Sequence, residues 1–194
     1  MPEFLLKFVG VSHGNPGHTG AAASLYEITE GSQKCIWFDS AYLGSSKTSN
    51  QAEYSGLILG LENCVCLEIT NLEICGDSEL VIDQLSGECK VKHKKLIPLH
   101  KKAKELIKSL RCAPKYTLIS QEDNQYCEMI ANMAVDRAVH EDEEDDSAAA
   151  ELEQERNECF GFTRDEFDTL LSYGVKPWKT DYGECMDVIQ ALYD

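Results

Sequence analysis

Three acidic side chains, Glu53, Asp77 and Glu128, lie in polar segments between apolar runs of this 194-residue chain. Their segments read NQAEY, GDSELVI and NQYCEMIAN. Carboxylate oxygens are hard ligands that suit divalent cations such as Mg²⁺, so metal binding is one chemistry that these residue types allow. The acids are far apart in sequence, so they form a site only if the fold brings their segments together.

Each acid also has an interpretation that needs no chemistry. Glu53 stands where it could close a capping box by reaching back to Asn50 at the start of a helix. Asp77 has the residue type of a helix N-cap. Glu128 suits the exposed side of an amphipathic helix. The elements that carry the acids must therefore be considered together.

The spacing of apolar residues predicts five strands and four helices. The predicted strands cover 5–11, 21–28, 34–39, 67–75 and 116–119. The predicted helices cover 50–64, a short stretch after Asp77, a longer one spanning 96–110, and 124–140. This order, β-β-β-α-β-α-α-β-α, predicts an α/β fold with a mixed sheet covered by helices on both faces.

Four motifs occur in this order: a first strand ending in GNPG, then QAE, GDS and the NQYCEMIAN segment. In combination they resemble a ribonuclease H domain of type I over residues 4–138. The resemblance implies a five-stranded mixed sheet, three antiparallel strands followed by two parallel ones. It also implies metal-dependent cleavage of RNA/DNA hybrids, with Mg²⁺ or Mn²⁺ held by four acids. Those acids lie on strand one, on helix one, after strand four and on the last helix.

Two of the four implied acids match, as Glu53 and Asp77, and two positions depart from the pattern. Val9 occupies the strand-one position, whose aspartate bridges both metals in this family, and valine offers no oxygen. Glu128 replaces the last aspartate and adds a methylene, and a misplacement of about 1 Å can cost on the order of 100-fold in rate. We therefore expect a pseudoenzyme that binds nucleic acid and is catalytically inactive or severely impaired, with Mg²⁺ or Mn²⁺ bound weakly or not at all.

Two alternatives remain open at this level. The first is an active RNA/DNA-hybrid endoribonuclease with a reorganised site, in which Glu53, Asp77 and Glu128 hold one metal that activates water. The second is a scaffold that binds protein alone.

The net charge of −16 is divided unevenly along the chain. Residues 1–138 carry 14 Lys/Arg against 17 Asp/Glu, whereas residues 139–194 carry 4 against 17. Ten basic residues and one acid fall within 90–115, which we call the basic strip. The resemblance implies that this strip and the turn residues Gly14 and Asn15 contact an RNA/DNA hybrid or a structured RNA. The densest group of the strip is Lys92, Lys94, Lys95, Lys101, Lys102 and Lys104. An ordinary solvated helix face is the competing interpretation.

The sequence divides into a domain over 1–140, an acidic linker or helix over 141–160 and a helical C-terminal extension over 161–194. Within the extension, TRDE at 163–166 has the form of a capping box and precedes Phe167, Leu170 and Leu171. The extension could bind a protein partner, or its acids could mimic a phosphate backbone on the basic strip. Nine scattered cysteines favour reduced thiols in the cytoplasm or nucleus, and no run is long enough to span a membrane.

Overall fold

A five-stranded mixed sheet organises the protein in the computed structural model, which describes residues 3–14, 17–29 and 32–140. The strands are β1 (Glu3–Gly14), β2 (Gly17–Thr29), β3 (Ser32–Lys47), β4 (Leu72–Gly76) and β5 (Lys115–Leu118). The helices are α1 (Ser49–Cys66), α2 (Glu79–Ser86), α3 (Ile97–Ser109) and α4 (Gln125–His140). The predicted linker and extension, and Asn15 of the predicted turn, lie outside the described residues.

The strand order is β3-β2-β1-β4-β5. β1 pairs antiparallel with β2, which pairs antiparallel with β3. β4 pairs parallel with β1 and with β5. The predicted sheet of three antiparallel and two parallel strands, with helices on both faces, is confirmed. Phe8 of β1 pairs with Gly76, the last residue of β4. This pairing brings the segments around Val9 and Asp77 close together.

The two faces of the sheet bury different side chains. On one face, α1, α2 and α3 pack over Leu6, Phe8 and Leu25. On the other face, α4 packs over a smaller cluster that includes Val9, Val11 and Ala22. Because successive side chains of a strand point to opposite faces, Phe8 and Val9 enter different cores.

Two glycines allow α1 to lie directly on the first strand. A Cβ built on Gly10 would lie 2.0 Å from the backbone nitrogen of Glu53, and one built on Gly56 would lie 2.4 Å from the carbonyl oxygen of Val9. No real Cβ approaches backbone atoms so closely, so larger residues at either position would push helix and strand apart. This close approach fixes the position of Glu53 over β1.

The predicted start of the fourth strand is wrong. We expected it at residue 67, but α1 continues to Cys66 and a turn intervenes before β4 begins at Leu72. Glu68 in that turn has φ 53°, a left-handed conformation that ends the helix and cannot belong to a strand. The apolar residues of the turn gave the segment a strand-like appearance.

Three cysteines predicted as small core residues, Cys64, Cys75 and Cys127, are buried. All seven cysteines within the described residues are free thiols. The cytoplasmic or nuclear location stays a prediction. Within the same residues, no helix is both long and apolar enough to cross a membrane.

Candidate active site and nucleic-acid surface

Glu53 lies on the second turn of α1 and is almost completely buried, with 8% of its surface exposed. The backbone N–H of Gly10 donates a hydrogen bond to its carboxylate, whereas its Oε2 has no hydrogen-bond partner. Burial raises the pKa of Glu53 to about 9, with a further increase from the charge of Asp77 and a smaller one from Glu128. The Gly10 hydrogen bond opposes this increase because it favours the charged form. The buried carboxyl is therefore neutral at pH 7.

The capping interpretation of Glu53 is wrong. The N-cap of α1 is Thr48, and Gln51 at the third helical position completes the capping box. The backbone N–H of Thr48 donates to Gln51 Oε1 at 3.3 Å. Because Gln51 performs the capping, the Glu53 carboxylate is left to face the sheet.

Asp77 follows the end of β4 and is held by Asn124. The Nδ2 atom of Asn124 donates to Asp77 Oδ1 at 3.1 Å and to the Phe8 carbonyl oxygen at 2.9 Å. Asn124 thus joins β1, the β4–α2 connection and the start of α4. The N-cap of α2 is Ser78, so the N-cap interpretation of Asp77 is also wrong.

Glu128 lies in the first turn of α4 and is half-buried. Its charge contributes to the raised pKa of Glu53, so the fold brings both Asp77 and Glu128 within electrostatic reach of Glu53. The partial exposure of Glu128 is compatible with the surface position considered from the sequence.

Val9 is 3% exposed and contributes hydrocarbon where the resemblance places the shared metal ligand. It belongs to the α4-facing core with Cys127, Ile130 and Ala131. Cys127 in turn shares a hydrogen bond with Ser24 Oγ, with 2.9 Å between sulfur and oxygen. Val9 is therefore packed among buried apolar side chains.

The residues present do not fit a two-metal centre. Glu53, Asp77 and Glu128 supply hard oxygens, and the unpartnered Glu53 Oε2 is an atom that a cation could satisfy. However, within the described residues no three His, Cys, Asp or Glu side chains are arranged to hold a metal ion. Val9, at the position where the resemblance places a bridging carboxylate, offers no oxygen.

The predicted nucleic-acid contacts are the turn residue Gly14 and the lysines of the basic strip. Gly14 is exposed and has φ 112°, which glycine tolerates at the end of β1. Three lysines of the basic strip make internal contacts: Lys102 pairs with Glu62 at 2.6 Å, Lys101 pairs with Glu105 at 3.8 Å, and Lys104 Nζ donates to the Leu85 carbonyl oxygen at 3.2 Å. Lys92, Lys94 and Lys95 are exposed. These three have no hydrogen bond or ion pair to another described residue.

Sequence reasoning missed a cavity of about 380 Å³ beside the basic strip. Its polar and basic lining comes from three separate segments: Thr48 and Asn50 near the start of α1, Gln84 of α2, and Cys89, Lys90, Lys92 and His93 before α3. Residues so far apart in sequence give no local signal. Only the packing of α1 against α2 and the basic strip joins them.

The family model described as reverse transcriptase-like matches residues 8–134. The chain belongs to this family. Together with the relatives below, the match makes the described domain ribonuclease H-like.

Two curated relatives give the extent of the likeness. The bifunctional protein Rv2228c of Mycobacterium tuberculosis is 35% identical over 74% of this chain, and the chain spans 37% of that protein's length. Ribonuclease HI of Halobacterium salinarum is 31% identical over 68% of this chain and 63% of its own.

Solved structures agree with this assignment. The N-terminal RNase H domain of Rv2228c superposes with a TM-score of 0.66 at 33% identity, covering 73% of this chain and 99% of that domain. LC11-RNase H1, solved in complex with an RNA/DNA hybrid, superposes with a TM-score of 0.65 at 26% identity, covering 71% of this chain and 99% of its own.

Proposed function

We propose that this ribonuclease H-like domain binds RNA/DNA hybrids but is catalytically inactive or severely impaired. The observation that carries the proposal is Val9, buried at 3% exposure in the α4-facing core. In phosphodiester hydrolysis by two metal ions, the ions together stabilise the attacking and the leaving oxygen, so both must be held in place. A hydrocarbon side chain at the position of the bridging aspartate weakens the binding of both metal ions.

The state of Glu53 sets a pH dependence for any metal binding. Burial, Asp77 and Glu128 raise the pKa of the metal-free Glu53 carboxyl to about 9, so a cation that binds it must displace a proton. Ionising it for metal binding costs free energy, which any bound ion must offset before it can act. The side chain of Glu128 is one methylene longer than that of aspartate, so its carboxylate is displaced from the position that an aspartate carboxylate would occupy.

Hybrid binding is supported by the basic strip and by the likeness to a protein solved with a hybrid. Lys92, Lys94 and Lys95 are exposed, and Lys92 lines the cavity together with Thr48 and Asn50. Lysines of this kind bind phosphates without reading sequence, and binding weakens steeply with salt because counterions are released. A structured RNA is a second ligand with the same A-form geometry.

One observation favours an active enzyme as the second candidate. Glu53 Oε2 is buried without a hydrogen-bond partner, and a buried unsatisfied oxygen is costly. A single Mg²⁺ or Mn²⁺ beside Glu53 and Asp77 would satisfy it. This second function is a metal-dependent RNA/DNA-hybrid endoribonuclease with a reorganised site.

The proposal is tested by measuring binding and cleavage on the same labelled hybrid. Nuclease-free protein is titrated into hybrid, duplex DNA and duplex RNA over a range of salt, and the saturated samples are then incubated with Mg²⁺ or Mn²⁺. We expect salt-sensitive hybrid binding with the strand left intact. Cleavage that Asp77→Asn abolishes would support the second candidate, and failure to bind any of the three duplexes would favour a protein-binding scaffold.

A further inference from the structure

A groove of about 250 Å³ runs between β3 and α4, on the sheet face opposite α1. We call it the β3–α4 groove. Its lining residues are Phe38, Ser40, Tyr42, Ile130, Met133, Ala134, Arg137 and Ala138. Six of the eight described lining residues are apolar or aromatic, although polar atoms supply nearly half of the exposed surface of the groove. The lining residue Tyr42 is 37% exposed. The volume of the groove is smaller than the roughly 300–1,000 Å³ of small-molecule pockets, which suits a few apolar side chains of a peptide.

The groove lies on the thinly covered face of the sheet. The buried cluster there draws its described members from β1, β2, β3 and α4 alone. The opposite face is covered by α1, α2 and α3. Among the described lining residues Arg137 alone is charged, and it makes no ion pair with another described residue. The surface therefore suits an apolar segment that also carries acid.

The chain itself supplies such a segment. Residues 162–174 carry Phe167, Leu170 and Leu171 at helical spacing, with three acids against one arginine. Apolar residues at these positions are the pattern of helices that dock into hydrophobic grooves. The acids of the segment complement Arg137.

The connection favours this occupant over a separate molecule. Arg137 and Ala138 of the groove lie in the last turn of α4, which ends at His140. The 21 residues from 141 to 161 can span at most about 70 Å, so residues 162–174 can reach the groove of their own chain. Because both partners belong to one chain, binding is intramolecular and the effective concentration of the segment is high. Weak side-chain contacts then suffice for occupancy.

We propose that residues 162–174 occupy the β3–α4 groove of their own chain, with the Phe167, Leu170 and Leu171 side chains against its apolar lining and the acids near Arg137. The acidic extension is then an integral cover of the α4 face. In this arrangement it leaves the basic strip free, in contrast to a tail that mimics a phosphate backbone.

The test places a photoreactive p-benzoylphenylalanine at position 167 of the full chain and maps the products by mass spectrometry. Benzophenone inserts into nearby C–H bonds and favours methionine. We expect products within one chain that join position 167 to the peptide containing Met133. Products on the basic strip, products that join two chains, or no product would each overturn the proposal.

A matched pair of variants makes the test specific. Ala134→Glu puts an acid into the groove lining, whereas Val139→Glu makes a similar change at a position of α4 that is 40% exposed and outside the lining. Because the new acid repels the acids of the segment, Ala134→Glu should lower the yield of the Met133 product by about tenfold or more. Equal yields in the two variants would contradict docking. Arg137→Glu replaces Ala134→Glu if thermal unfolding shows that the latter fails to fold.

Discussion

Replacement of Glu53 by glutamine should remove a large pH dependence from the stability of the domain. Glutamine keeps the size and shape of the protonated carboxyl, so Glu53→Gln mimics the neutral form of the native state. The pKa of Glu53 is raised from 4.5 to about 9 by burial, then by Asp77 and Glu128. Between these values the folded protein keeps a proton that the unfolded chain releases.

Proton linkage gives the sign and the size of this pH dependence of the free energy of unfolding. Because the unfolded state binds fewer protons in this window, the free energy of unfolding is highest below pH 4.5 and falls as pH rises toward 9. One proton difference corresponds to about 1.4 kcal/mol per pH unit. From about pH 5.5 to about pH 8 the wild type should lose about 3 kcal/mol through Glu53. That is a large share of the roughly 5–15 kcal/mol that stabilises a typical domain.

Urea unfolding of the full chain at several pH values measures this effect. The difference between wild type and Glu53→Gln cancels the other titrating groups, and it should grow steadily with pH. Glu122→Gln is the matched control, because Glu122 is an exposed carboxylate before α4. Parallel pH profiles for wild type and Glu53→Gln would refute the assignment of a neutral buried carboxyl.

The same experiment in Mg²⁺ tests the second candidate function. A cation beside Glu53 would favour its charged form and flatten the pH dependence of the wild type. Because no three His, Cys, Asp or Glu side chains of the described residues are arranged to hold a metal ion, we expect Mg²⁺ to leave the slope unchanged. A slope that vanishes in Mg²⁺ and returns with a chelator would instead indicate a metal bound at Glu53.

Two further predictions concern packing and binding. Gly10→Ala should destabilise the domain by about 1–3 kcal/mol in urea unfolding, since its Cβ would lie 2.0 Å from the Glu53 backbone nitrogen; an unchanged midpoint would show that α1 does not lie so close to β1. Each phosphate contact contributes about 0.9 to the magnitude of the slope of log affinity against log salt. Replacing the exposed Lys92, Lys94 and Lys95 together by serine should therefore reduce the magnitude of that slope by about 2–3. Lys102→Ser, at a lysine already paired with Glu62 at 2.6 Å, should change the slope less, and equal slopes for all variants would exclude the basic strip as the binding surface.

The sequence predicted the sheet well because each strand is an apolar run bounded by turn residues. β1, β2 and β3 extend further than expected, since edge residues such as Tyr42 and Lys47 continue the ladder without an apolar pattern. The start of β4 was missed for the opposite reason. Leu67 and Ile69 look like strand residues, but the positive φ of Glu68 makes this segment a turn.

The candidate site was only partly accessible from sequence. Spacing and residue type identified Glu53, Asp77 and Glu128, yet neither the burial of Glu53 nor its unpartnered oxygen has a local signature. Both depend on the close approach of α1 to Gly10, which is a tertiary contact. The role of Asn124 as a link between Phe8 and Asp77 was hidden for the same reason. The internal partners of Lys101, Lys102 and Lys104 could not be predicted from the sequence either.

We propose that a missing carboxylate on β1, at Val9, separates hybrid binding from hybrid cleavage. The most direct test of this proposal is the cleavage of a labelled RNA/DNA hybrid in Mg²⁺ by the Val9→Asp, Glu128→Asp double variant beside the wild type. The matched control is Val11→Asp with Glu128→Asp, because Val11 lies on the same strand and in the same core cluster as Val9. We predict cleavage by the first variant alone. Efficient cleavage by the wild type, or repaired and control variants that behave alike while both remain folded, would contradict the account.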